Sequence, residues 1–122
     1  MVGMRKTKIY EYSKCSTCRN ALKFLDRKDI DYEKIPIVET PPTRAELRKM
    51  LVSLGGNVKK LFNTSGELYR EMNLSAKIDS MTETEALDLL ASNGKLIKRP
   101  FVLTGDIGLV GFKEEDWEKV FS

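Results

Sequence analysis

Apolar and polar positions at the start of the chain follow first a strand pattern, then a helix pattern. Thr7–Tyr12 alternates and is rich in strand-forming residues, which predicts a first strand. From Cys18 to Leu25 apolar residues recur at i, i+3, i+4 and i+7, the spacing of a helix packed on a sheet. Asp31–Val38 predicts a second strand, which Pro36 either ends early or confines to an edge. This order predicts a βαβ unit with parallel strands.

The middle of the chain has the pattern of helices. Two capping-box sequences, Thr43–Glu46 and Thr82–Glu85, each predict a helix start. Both helices end at pairs that contain glycine, a residue that favours helix ends. Residues 60–66 predict a loop or short turn, and residues 67–72 predict a further short helix.

The last quarter of the chain returns to sheet. Arg99–Thr104 predicts a strand, Gly105-Asp106 a hairpin turn, and Leu109–Phe112 a second strand, followed by a helix over Glu114–Phe121. The whole order is therefore βαβ, then helices, then ββα. It predicts an α/β fold with a mixed four-stranded sheet, with a helical insertion at about residues 43–92 between the two halves.

The composition of the chain mainly excludes certain classes of function. The chain has 122 residues, the size of one domain, and its net charge of +3 comes from interleaved charges that do not favour direct nucleic-acid binding. There is no His, which excludes Ser-His-Asp and Cys-His catalysis, and two cysteines cannot build a four-ligand zinc site within one chain. No apolar run has the length of a membrane helix, and the N-terminal residues lack the apolar core of a signal peptide. We therefore expect one domain over residues 1–122, in the cytoplasm and without a membrane partner.

The strongest chemical signal is the segment Cys15-Ser16-Thr17-Cys18-Arg19, which lies between the first strand and the first helix. A C-x-x-C sequence beside a βαβ unit is typical of redox proteins. A cysteine at a helix start lies near unpaired backbone N–H groups and the positive end of the helix dipole, an environment that favours the thiolate. Lys14 and Arg19 add positive charge, so Arg19 is a candidate anion-binding residue. Cys15 is therefore the candidate nucleophile, and Cys18, one turn further along, is the candidate resolving thiol.

Other interpretations of the cysteine pair stay open at this point. Cys15 and Cys18 are compatible with half of a zinc site shared between two chains, although further soft ligands are missing. They are also compatible with a structural disulfide, which would constrain the unfolded chain little because it closes a short loop. Two inert thiols, one of them packed in the core, are a third alternative. Arg99 and Pro100, likewise, are compatible with a solvated charge and a permitted strand start.

Five stretches in order along the chain resemble the arsenate reductase (ArsC) and Spx family of thioredoxin-fold proteins. They are residues 15–22, 39–44, 61–66, 96–100 and 110–115. The resemblance implies a thioredoxin-like fold with a helical insertion. It also implies that Pro100 follows a cis peptide bond and faces Cys15, and that Arg99 binds an oxyanion in the same pocket.

The chain also departs from the arsenate-reducing members of this family. Those that use glutaredoxin carry one catalytic cysteine in a C-x-x-S pattern, and they hold the oxyanion with three arginines. Here Cys18 occupies the position of the serine, and Asn63 occupies the position of the first arginine. The third arginine would lie within Leu109–Phe112, which contains none, so only Arg99 matches. Fewer charge-assisted hydrogen bonds predict weak or no arsenate reduction. Three lysines would compensate if the fold brought them to the pocket, namely Lys14, Lys59 and Lys60.

Together these observations predict an arsenate-reductase-like thiol–disulfide oxidoreductase that uses the pair Cys15 and Cys18. Its expected partner is a thioredoxin- or glutaredoxin-type reductant, and no metal or organic cofactor is implied. The alternative, implied by the resemblance to the Spx branch, is a redox-sensing regulator that binds RNA polymerase. A scaffold without catalysis is the third hypothesis.

Overall fold

A computed structural model describes residues 6–121, which form four strands and six α-helices. The N-terminal half contains β1 (Thr7–Glu11), α1 (Ser16–Arg27) and β2 (Glu33–Pro36). The C-terminal half contains β3 (Phe101–Thr104), β4 (Ile107–Val110) and α6 (Glu114–Phe121). The expectation about a signal peptide concerns residues 1–5, which lie outside the described part of the chain.

The four strands lie side by side in the order β2-β1-β3-β4. β1 pairs in parallel with β2 and antiparallel with β3, and β3 pairs antiparallel with β4. A βαβ half is thus joined to a ββα half in one mixed sheet, as the sequence predicts. This is the thioredoxin-like arrangement that the family resemblance implies.

All four strands are shorter or shifted compared with the prediction. β1 ends at Glu11, one residue earlier than predicted, and for the other three the structure shows the physical reason. β2 lies at the sheet edge and ends at Pro36, which has no N–H to extend the ladder. β3 begins after Pro100 for the same reason. β4 begins at Ile107 because a two-residue turn pairs Ile107 with Thr104, and it ends before Gly111, whose φ is +70°.

Between the halves the chain is mainly helical. It contains α2 (Arg44–Ser53), α3 (Glu67–Glu71), α4 (Leu74–Lys77) and α5 (Glu83–Ser92). Both predicted capping boxes are present, at the starts of α2 and α5. The predicted loop at residues 60–66 begins inside a 3₁₀ turn over Val58–Leu61, and α4 has no counterpart in the prediction.

Alternating side chains of the central strands pack on opposite faces of the sheet. Ile9 and Val102 belong to a core with α1 and α6, which contribute Phe24 and Trp117. Tyr10, Phe101 and Leu103 belong to a second core with helices α2 to α5. No helix among the described residues is long and apolar enough to span a membrane.

Candidate active site

Cys15 is the N-cap residue of α1, directly after β1. Its backbone is extended and its Sγ accepts a hydrogen bond from the backbone N–H of Cys18 at 3.2 Å. The N–H of Cys15 itself donates to the carbonyl of Tyr12 at 3.0 Å, which fixes the turn that leads into the helix. The half-buried sulfur thus lies at the helix start, as predicted, where an amide already points at it.

Cys18 lies one turn further along, on the apolar stripe of α1, and is fully buried. Burial, together with a hydrogen bond and a charge interaction with Cys15, raises the pKa of the Cys18 thiol to about 12. A backbone hydrogen bond from Tyr12 and the positive charge of Arg99 act in the opposite direction. Both cysteines are free thiols in this structure.

Arg99 and Pro100 lie just before β3. The guanidinium carbon of Arg99 is 4.7 Å from the centre of the Tyr12 ring, a cation–π contact that holds the side chain over the end of β1. The Arg99–Pro100 bond is cis, as the resemblance implies, and Pro100 is buried. Its carbonyl accepts from the N–H of Gly111 at 2.9 Å, which ties the start of β3 to the end of β4.

A cavity of about 670 Å³ opens beside this arrangement. The cysteine segment contributes Thr17 to its wall, but neither cysteine is among the lining residues. Five cationic side chains line it, which are Lys59, Lys60, Lys98, Arg99 and Lys113. The cavity therefore lies next to the cysteine pair and carries far more positive charge than Arg99 alone would supply.

The structure does not bring Arg19 to this cavity. Its side chain is exposed, and its guanidinium donates to the carbonyl of Ser13 at 3.1 Å, across the turn that precedes α1. An anion-binding role for Arg19 therefore stays a prediction. Lys14 is exposed and is not among the lining residues either, whereas Lys59 and Lys60 are.

Sequence reasoning missed Tyr12 as a member of the site. Its ring contacts the guanidinium of Arg99, and its carbonyl accepts a hydrogen bond from the N–H of Cys15. Its backbone also forms a hydrogen bond with the Cys18 sulfur. The signal was available, since an aromatic residue stands at the end of the predicted strand, three positions before Cys15. Lys98 and Lys113 were also missed, because only the antiparallel pairing of β3 and β4 brings them to one cavity.

Within residues 6–121, no group of three or more His, Cys, Asp or Glu side chains could hold a metal ion. The chemistry that the site itself offers is that of a buried thiol, a half-buried thiol and the positive charges around them.

Comparison with known proteins agrees with this geometry. The ArsC family model matches residues 10–120. The chain is 47% identical to uncharacterized protein YusI of Bacillus subtilis, over 90% of this chain and 93% of that one. It is 34% identical to arsenate reductase of Escherichia coli K12, over 83% and 70% respectively.

The chain is also similar to a transcriptional regulator and to a protein of solved structure. The chain is 24% identical to global transcriptional regulator Spx of Streptococcus mutans, over 84% of this chain and 73% of Spx. The crystal structure of an ArsC-family-related protein from Bacteroides fragilis superposes with a TM-score of 0.89 at 50% identity, covering 94% of this chain and 97% of that one. With a family model that spans most of its length and relatives well above 30% identity, the chain belongs to the ArsC family.

Proposed function

We propose that this protein is a cytoplasmic thiol–disulfide oxidoreductase in which Cys15 is the nucleophile and Cys18 the resolving thiol. The observation that carries the proposal is the position of Cys15 Sγ, half-buried at the N-cap of α1 and 3.2 Å from the backbone N–H of Cys18. A hydrogen bond of this kind is stronger to a negatively charged sulfur than to a neutral one. It therefore supports the nucleophilic form of Cys15.

The reaction proceeds by two exchanges. The Cys15 thiolate attacks one sulfur of a substrate disulfide, forms a mixed disulfide and releases the other substrate sulfur as a thiolate, which takes a proton from solvent. Cys18 then loses its proton to solvent, attacks Cys15 Sγ and releases the second substrate thiolate, which is protonated in turn. Two protein thiols are oxidised to the Cys15–Cys18 disulfide, and one substrate disulfide is reduced to two thiols. A dithiol protein of the thioredoxin or glutaredoxin type then reduces the Cys15–Cys18 disulfide back to two thiols and is itself oxidised to a disulfide.

The environment of Cys18 supports this order of steps. While Cys15 is free, burial and the interactions with Cys15 keep Cys18 protonated by raising its pKa to about 12. Once Cys15 is in a mixed disulfide, its hydrogen bond and charge no longer act on Cys18. Burial still raises the pKa of Cys18, but Tyr12 and Arg99 still lower it. The pKa of Cys18 therefore falls at the stage at which its thiolate is needed.

Arsenate is a poor substrate in this proposal, although relatives carry the name arsenate reductase. Arg99 offers a planar fork to a tetrahedral oxyanion, whereas the four lysines of the cavity act as point charges. Three of them, Lys59, Lys60 and Lys113, are exposed. Contacts from exposed charges contribute about 1 kcal/mol or less each. They only partly replace bidentate arginines.

The similarity to Spx favours one alternative, a redox-sensing regulator that binds RNA polymerase. In that case the Cys15–Cys18 disulfide would act as a switch and turnover would be unnecessary. Retention of polymerase subunits by the immobilised protein, changed by oxidation and unaccompanied by turnover of any disulfide, would favour the regulator.

The direct test is a Cys18→Ser variant expressed in cells. It keeps the nucleophile and lacks the resolving thiol, so substrates accumulate as mixed disulfides with Cys15. Mass spectrometry after denaturing purification identifies them, and Cys15→Ser serves as the matched control that traps none. If both variants trap the same background, Cys15 is not a nucleophile toward disulfides and the oxidoreductase proposal fails.

A further inference from the structure

The cavity beside the cysteines has an unusual charge balance. Five cations line it against a single acidic residue, Asp116. None of the five forms an ion pair with an acidic side chain of residues 6–121. Elsewhere on the molecule cations such as Lys8 and Arg44 do have carboxylate partners. The cavity therefore presents a positive field that the described part of the chain does not neutralise.

These charges come from three separate segments. Lys59 and Lys60 lie in the 3₁₀ turn after α2, Lys98 and Arg99 precede β3, and Lys113 follows β4. Lys98 lies against the backbone of Gly111, where a Cβ would come within 3.3 Å of its Cε. At about 670 Å³ the cavity is far larger than a single tetrahedral anion. Positive charges on three segments around this volume give room for several anionic groups carried on one chain.

The lining of the cavity also contains apolar side chains. Phe62 and Trp117 are buried and border it, together with the half-buried Leu109, Val110 and Phe112. An apolar wall with a cationic rim is the arrangement that holds a peptide through one apolar side chain and flanking carboxylates. A small inorganic anion has no apolar group to place there.

The cavity is also correctly placed to present a substrate to the cysteines. Thr17, the residue between Ser16 and Cys18, forms part of its wall. Arg99 lines it and at the same time acts electrostatically on Cys18. A chain seated in the cavity would thus bring its neighbouring residues to the start of α1.

From these observations we infer that the cavity binds an acidic polypeptide segment and that the substrate disulfide is carried next to that segment. The inference rests on the proposed function, since it names the substrate class of the same exchange between Cys15, Cys18 and a disulfide. The segment takes no part in the covalent steps. It raises the local concentration of the disulfide and speeds encounter by charge attraction.

The kinetic test uses two synthetic peptides that contain the same disulfide and the same apolar residue, flanked by Glu in one and by Lys in the other. We expect kcat/KM to be about tenfold or more higher for the Glu peptide, with an advantage that shrinks as ionic strength rises. Hydroxyethyl disulfide, which is uncharged and small, is the reference substrate. Equal rates for the two peptides, with normal turnover of the reference, overturn the acidic-segment inference alone. Absence of turnover for all three contradicts the proposed function.

The test in the protein is Lys59→Glu/Lys60→Glu. We expect the ratio of the Glu-peptide rate to the reference rate to fall about tenfold or more. The matched control, Lys34→Glu/Lys95→Glu, changes net charge equally at exposed positions outside the cavity and should leave that ratio unchanged. An equal fall in both variants would show that only overall charge matters, and this would overturn the inference.

A binding measurement separates this inference from catalysis. Trp117 is the only tryptophan of the chain and lines the cavity, so its fluorescence reports occupancy. A cysteine-free form of the Glu peptide should change that fluorescence saturably, and the Lys peptide should not. If inorganic arsenate or glutathione disulfide saturates the signal while the Glu peptide does not, the cavity takes a small anion and the inference is wrong.

Discussion

The guanidinium of Arg99 lies 4.7 Å from the centre of the Tyr12 ring, and this contact connects the two halves of the fold beside the cysteine pair. Tyr12 follows β1 and holds Cys15 through its carbonyl, while Arg99 precedes β3 and lowers the pKa of Cys18 through its charge. Tyr12 thus both contacts the arginine and fixes the turn that presents Cys15, the proposed nucleophile. A change at either position should affect the resolving step.

Replacing Arg99 by Met removes the positive charge near Cys18. Because that charge lowers the pKa of Cys18, we expect the second exchange to slow by about fivefold, which corresponds to roughly 1 kcal/mol for one partly solvated charge. The measurement is single-turnover release of the product thiol from the Cys15 mixed disulfide across a pH series. Arg99→Lys should restore most of the rate. A rate for Arg99→Met within experimental error of the wild type would show that Arg99 does not act on Cys18.

The interaction between the two thiols gives a second prediction. In Cys15→Ser the charge of Cys15 and its sulfur hydrogen bond are lost, so the pKa of Cys18 should fall below about 12. Ultraviolet absorbance of the thiolate against pH measures this, with Cys15→Ser/Cys18→Ala as the baseline. An unchanged or higher value would mean that burial alone sets the pKa of Cys18.

The raised pKa of Cys18 also predicts how the free energy of unfolding depends on pH. A folded-state pKa above the unfolded value of about 8.5 means that the buried Cys18 thiol stabilises the fold below that pH. This contribution is lost as pH rises toward about 12. The difference in free energy of unfolding between the wild type and Cys18→Ala should therefore shrink between these two pH values.

The sequence predicted the elements and the positions of the two cysteines well because both depend on local patterns. The stripe from Cys18 to Leu25 and the capping boxes are local, and the structure has each of them where the sequence predicts it. The position of Cys15 at a helix start follows from the strand–turn–helix order alone. No long-range contact is needed to predict it.

The cavity could not be predicted in the same way, since it depends on which strands become neighbours. Lys59 and Lys113 lie far apart in the sequence, and nothing in their local sequence relates them. Of the three lysines that the sequence offered as compensation for the missing arginines, Lys59 and Lys60 line the cavity and Lys14 does not. The fold also brings Lys98 and Lys113 to it. The hydrogen bond between Cys18 N–H and Cys15 Sγ is local, whereas the effect of Arg99 on Cys18 requires β3 to lie beside β1.

A fourth prediction concerns Glu46, which links α2 to β1. Its carboxylate accepts from Tyr10 Oη at 2.7 Å, from Lys8 Nζ at 3.1 Å and from the N–H of Thr43 at 3.0 Å. Partial burial raises the pKa of Glu46, but the hydrogen bonds from Tyr10, Thr43 and Lys8 outweigh it and lower the pKa overall. We expect Glu46→Gln to cost about 1–3 kcal/mol of unfolding free energy at neutral pH.

The pH dependence of that cost follows from the lowered pKa. The charged carboxylate stabilises the fold above the unfolded value of about 4.3, and this stabilisation is lost as pH falls through the lower folded value. Urea unfolding of the wild type and Glu46→Gln should therefore converge under strongly acidic conditions. Glu85→Gln is the matched control, since Glu85 occupies the same place in the exposed capping box of α5. A larger loss for Glu85→Gln would show that capping, not the contacts with β1, dominates.

The last prediction concerns arsenate itself. Holding this anion requires contacts that offset the loss of its hydration, and a charge-assisted hydrogen bond contributes about 1.5–3 kcal/mol. With Arg99 as the matching arginine, about two such contacts are absent, a loss of roughly 3–6 kcal/mol, or about 10²–10⁴-fold in kcat/KM against a three-arginine enzyme. The lysines around the cavity recover only part of this, because exposed charges contribute about 1 kcal/mol or less each. Disulfide exchange needs no anion clamp at the sulfur, so one preparation supplied with thioredoxin and glutaredoxin should reduce disulfides readily and arsenate hardly at all. Arsenate turnover comparable to that of the Escherichia coli relative, measured side by side, would mean that Lys59, Lys60, Lys98 and Lys113 replace the arginines fully.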